Sequence, residues 1–76
     1  MHMAWPSDVT HPNRSAFPSG MSGSSLRALS VAGVRSMSDV ARWTRADLAK
    51  LHGMGPKGLA QLERALEGSG RSFRQP

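Results

Sequence analysis

The stretch LHGMGPKGL, residues 51–59, brings three glycines, a proline and a lysine together. A helix that begins at Pro56 leaves its first backbone amides without intrahelical acceptors and points the positive end of its dipole outward. Lys57 adds a full positive charge at the same end. Gly53, Gly55 and Gly58 carry no side chains, so a bulky anion has room to approach. These are the parts of a phosphate site at a helix N-terminus. The stretch lacks the longer Gly-x-x-x-x-Gly-Lys-Ser/Thr loop that wraps a nucleoside triphosphate, so a backbone phosphate of a nucleic acid is the better fit.

Other residues with chemical potential are more scattered. His52 adjoins the hairpin, where it either touches a phosphate or packs on Leu48. Trp43 is a helix-end packing residue or a docking point for a partner. Arg42 and Arg45 fit a solvated face, while Arg71 and Arg74, past the last helix, are candidates for a second phosphate. His2 and His11 lack the spacing and companion ligands of a metal site, and the chain has no cysteine. The sequence contains no Ser-His-Asp grouping and no paired acid face. Only four acidic residues lie in 24–76, two of them placed as helix caps. The expectation is a protein with no catalytic residues, no metal and no cofactor.

Helices must position the hairpin. Ser24 or Ser25 can cap a first helix whose Leu26, Leu29 and Ala32 share a face, and Gly33 ends it in the usual left-handed position. Ser36 with Asp39, and Thr44 with Asp47, form two capping boxes that open short second and third helices and force a change of direction near Trp43. Pro56 suits the first position of a fourth helix, expected over 56–67 and stopped by Gly68-Ser69-Gly70. The connection at residues 52–55 is tight, so Gly53 and Gly55 are expected to supply backbone freedom, including positive φ. Met54 between them points inward. The core is expected from Leu29, Val34, Val40, Leu48, Leu51, Met54, Leu59, Leu62 and Leu66. The fold class is all-α: a compact bundle of four to five short helices with no strand.

Length, charge and composition bound the rest. The 76 residues allow one small domain with a thin core. Residues 1–22 carry prolines at 6, 12 and 18 among small polar residues, and no apolar periodicity survives there. They are expected to form a disordered, flexible tail, with few long-range contacts over 1–20 and with Trp5 and Phe17 as the residues able to dock. The net charge of +5 resides in 24–76, where nine basic residues face four acidic ones. Such an excess in a compact domain fits a polyanionic partner, or else a solvated basic surface. No apolar run approaches the ~20 residues that span a bilayer, so a soluble, cytoplasmic protein is expected.

With its flanking helices, LHGMGPKGL resembles a helix-hairpin-helix motif, whose hairpin contacts DNA phosphates without reading bases. Over residues 24–73 the chain is similar to the C-terminal domain of the bacterial RNA polymerase alpha subunit and its small stand-alone relatives. Ala32-Gly33-Val34 matches that family's joint after the first helix. Asp39 and Thr44-Arg45-Ala46-Asp47-Leu48 match its second helix and the start of its third, and Gly70-Arg71-Ser72-Phe73 matches its closing segment. The resemblance implies a SAM-like bundle over 23–74. It places the family's hairpin glycine and lysine on Gly55 and Lys57, and a neighbouring serine on Gly58. The arginine that enters the minor groove in that family falls on Ser24, so that contact is missing. Arg27, at the family's asparagine position, stands one turn further along.

Two classes of function follow. The first is a small module that binds double-stranded DNA through its phosphate backbone, tolerant of sequence, using Gly53, Gly55, Lys57, Gly58, Arg27 and His52. The second is a protein-interaction module of the same fold that does not bind DNA. In either case the expectation is a monomer that does not engage membranes.

Overall fold

Ser22 opens the first helix. Its side chain accepts a hydrogen bond from the Ser25 amide at 3.1 Å, and α1 then runs over Gly23–Val31. The cap thus lies two residues before Ser24; several serines in a row satisfy the capping rule equally well, and geometry selects the first. The computed structural model of the protein describes residues 11–76. Three more helices follow: α2 over Met37–Val40, α3 over Arg45–Ala49 and α4 over Pro56–Gly68. Among the described residues there is no strand, and the fold is all-α.

Caps set these boundaries. The Ser36 and Thr44 hydroxyls accept from the Asp39 and Asp47 amides at 3.3 and 3.1 Å, as the two box motifs predict. The return half of the first box is displaced by one residue, since Asp39 accepts from the Arg35 amide at 2.9 Å. Two helices end in the same C-terminal motif. After α1, Gly33 takes a φ of 77° while Val34 N–H donates to Leu29 and Gly33 N–H to Ser30. After α4, Gly70 takes a φ of 76° while Arg71 N–H donates to Leu66 and Gly70 N–H to Glu67. These are paired 6→1 and 5→2 bonds, and each needs a residue at ease with positive φ.

The longest helix, α4, organises the core and packs against both α2 and α3. Leu29, Val34, Val40, Leu48, Leu62 and Leu66 are fully buried, with Met54 and Leu59 nearly so. Leu51, expected inside, is only partly buried; it sits at the mouth of a surface recess. Beyond α4 the chain folds back, burying Phe73 and bonding the Arg74 amide to the Trp43 carbonyl at 2.9 Å. Trp43 packs half-buried against the core. Among the described residues no helix is long and apolar enough to cross a membrane.

The segment before α1 departs from its expectation. Residues 1–10 lie outside the described residues, so the tail expected there and the docking of Trp5 are not described. From residue 11 onward the chain is a strap across the bundle rather than a loose tail. Phe17 and Met21 join the hydrophobic core. His11 is 3% exposed; its Nε2–H donates to the Val34 carbonyl at 2.7 Å and its Nδ1 accepts from the Asn13 amide at 2.9 Å. Those two bonds fix the Nε2–H tautomer. The Phe17 ring meets the His11 ring edge-on at 4.9 Å. A single 3-10 turn at Arg14–Ala16 carries the chain between these anchors. The physical reason is specific anchoring: a buried aromatic contributes about 1.5–3 kcal/mol, and satisfied polar atoms at His11 remove the penalty of burying it.

Candidate nucleic-acid interface

The hairpin between α3 and α4 turns at residues 51–54, where the Met54 amide donates to the Leu51 carbonyl at 3.0 Å. Gly53 occupies the third position of that turn with a φ of 95°. A Cβ at Gly53 would also stand 2.9 Å from the Ser24 carbonyl oxygen of α1. Glycine is required there twice over, by conformation and by the close approach of another backbone.

Gly55 and Gly58 behave differently from Gly53 and from each other. Gly55, the N-cap of α4, has φ −109° and ψ 174°, ordinary extended backbone that any residue adopts. A Cβ there would meet nothing within 4 Å. The positive φ expected at Gly55 is therefore corrected: neither conformation nor packing asks for glycine. Gly58 is buried, and a Cβ on it would stand 2.6 Å from Ser25 Oγ and 3.1 Å from Met54 Sδ. Its missing side chain serves the packing of α4 on α1, and Gly58 also lines the recess between them. Of the three glycines, Gly55 alone holds open space facing outward.

Gly55 also lines a recess of about 230 Å³, together with Ser22, Ser24, Gly53, Lys57 and their neighbours. Two helix N-termini meet there. The first intrahelical bond of α4 runs from the Leu59 amide to Gly55, and that of α1 from the Leu26 amide to Ser22. The amides of Lys57 and Gly58 precede the first of these bonds, and Gly55 offers no side-chain cap. The positive ends of both helix dipoles therefore face one cleft, with the exposed Lys57 at its edge. No acidic residue lines it. The ion pairs Arg45–Glu63 and Asp47–Lys50, at 3.8 Å each, do not involve Lys57 or Arg27.

Arg27 and His52 line an adjoining recess of about 410 Å³, which shares Ser24 and Gly53 with the first. All six sequence-predicted residues thus line one or the other of two adjoining recesses. Arg71 and Arg74 do not join them. The Arg71 guanidinium donates to Ser38 Oγ at 3.0 Å, and Arg74 lines a separate recess with Thr44, Arg45 and Glu63. Sequence reasoning missed Gly20, Ser22 and Gln61 as lining residues. Gly20 and Ser22 lie in the segment expected to be loose, and only knowledge of the strap's docking would have marked them. Among the described residues no three His, Cys, Asp or Glu side chains cluster as metal ligands would. Comparison of the chain with protein-family models, curated proteins and solved structures gave no match.

Proposed function

We propose that the protein is a small DNA-binding module that holds backbone phosphates at the cleft between α1 and α4 and acts as a binding protein rather than an enzyme. The observation that carries this reading is the convergence of two helix N-termini on one acid-free recess beside Lys57. Gly55 supports it, because a Cβ there would meet nothing within 4 Å and its lack of a side chain leaves the first amides of α4 without a side-chain cap. The resemblance of residues 24–73 to the polymerase alpha C-terminal domain and to helix-hairpin-helix motifs agrees with it. With Ser24 in place of the family's groove-entering arginine, contact falls to phosphates, and binding is tolerant of sequence.

Salt dependence tests the reading. A module touching about three phosphates loses roughly 40-fold in duplex affinity between 50 and 200 mM salt, from a slope of about 0.9 per contact. Lys57→Ala flattens that slope by about one unit and leaves the fold intact, because the side chain is exposed. Duplex affinity indifferent to both salt and Lys57 would overturn the proposal and favour a protein-interaction surface.

A further inference from the structure

The larger recess beside the phosphate cleft has a different character. Ala28, Val31, Ala32 and Leu51 give it aliphatic walls, and Val31, 89% exposed, is the exposed large hydrophobic residue of the described chain. Arg27 and His52 stand among these apolar groups, and no acidic residue lines the recess. Its volume of about 410 Å³ lies within the roughly 300–1,000 Å³ usual for small-ligand pockets. Because Ser24 and Gly53 line both hollows, a ligand with an anionic end in the cleft would carry its neighbouring group directly into the aliphatic recess.

We infer that this recess takes the base of an unpaired DNA nucleotide whose phosphate sits in the adjoining cleft. The inference rests on the phosphate reading and narrows it. Charge complementarity selects the occupant: a flat body whose faces stack, joined to an anion, matches aliphatic walls beside Lys57, Arg27 and two helix N-termini. A double helix keeps its bases stacked inside and offers only its backbone, so it fills the cleft alone. A strand with free bases fills both hollows. His52 offers a ring face and Arg27 a guanidinium plane for stacking, the means by which unpaired bases are held. Stacking and apolar contact accept any base, so little sequence preference accompanies the binding.

The test compares three labelled decamers by fluorescence anisotropy with the full chain at low salt: oligothymidylate, an abasic strand with the same phosphates, and a duplex. Oligothymidylate is expected to bind at least about fivefold tighter than the abasic strand, the lower range for one stacked base. Val31→Gln, on an exposed position suited to a helix, is expected to remove most of that difference while leaving abasic-strand binding and thermal unfolding unchanged. Lys57→Ala weakens all three. Equal binding of the thymidylate and abasic strands, or a difference that survives Val31→Gln, overturns the base pocket; if Lys57→Ala still weakens binding, the phosphate reading stands without it. If Lys57→Ala changes none of the three, both readings fail together.

Discussion

Gly53 and Gly55 sit two residues apart in one hairpin, yet their replacement by alanine should have opposite consequences. Alanine at Gly53 must hold a φ of 95°, which costs about 1–2 kcal/mol for a residue with a Cβ. That Cβ would stand 2.9 Å from the Ser24 carbonyl oxygen, a backbone atom that cannot rotate away, so α1 and the hairpin must separate. Such overpacking adds about 1–3 kcal/mol. The lower entropy of the unfolded alanine chain returns about 0.4–1 kcal/mol, leaving a net loss of roughly 1–4.5 kcal/mol. In a domain of this size each kcal/mol moves the melting temperature by about 4–8 °C, so a drop of at least about 4 °C is expected. Alanine at Gly55 meets neither obstacle, and its entropic gain of about 0.4–1 kcal/mol is offset by the preference of an N-cap for glycine over alanine. Its stability should stay within about 0.5 kcal/mol of the parent. Melting both variants side by side by circular dichroism decides the matter. Equal destabilisation would refute the assignment of Gly53 to the fold and Gly55 to the ligand.

Two further outcomes follow from the packing and one from the open cap. Leu62→Ala, at a fully buried position of α4, should cost about 2–5 kcal/mol in urea unfolding; an unchanged midpoint would put Leu62 on the wrong face. Phe17→Ala should cost about 3–5 kcal/mol if the strap is part of the core, whereas a true tail residue would cost nothing measurable. Gly55→Val should still fold, since extended backbone suits a β-branched residue, with a loss of about 1 kcal/mol at the N-cap. It should nevertheless weaken duplex binding in anisotropy, and unaltered affinity would show that no ligand approaches the α4 N-terminus.

The parts of this fold that declare themselves in the sequence are local ones. Ser36 and Thr44, each with an aspartate three residues on, mark the starts of α2 and α3, because a cap is chemistry between neighbours. Gly33 and Gly70 mark helix ends for the same reason. The apolar spacing in 59–66 identifies the buried face of α4. What stayed hidden depends on residues far apart in the chain. His11 is bound by a carbonyl 23 positions away, and nothing in a proline-rich, aperiodic segment announces that partner. The roles of the three hairpin glycines divide only when α1 is laid against them, since Ser24 and Ser25 explain Gly53 and Gly58 and leave Gly55 without a structural duty. The sequence therefore singles out residues that the fold brings together, but not the two adjoining hollows that they line.

Amide shifts on adding DNA test the central claim most directly. With the uniformly 15N-labelled chain and a short duplex at low salt, the largest changes should fall on Gly55, Lys57 and Gly58 at the start of α4 and on Ser24 across the cleft. They should fade as salt is raised, as counterion release requires. If these amides hold still while duplex is added, or if the shifts gather around Arg71 and Arg74 instead, phosphate binding at the α1–α4 cleft is contradicted.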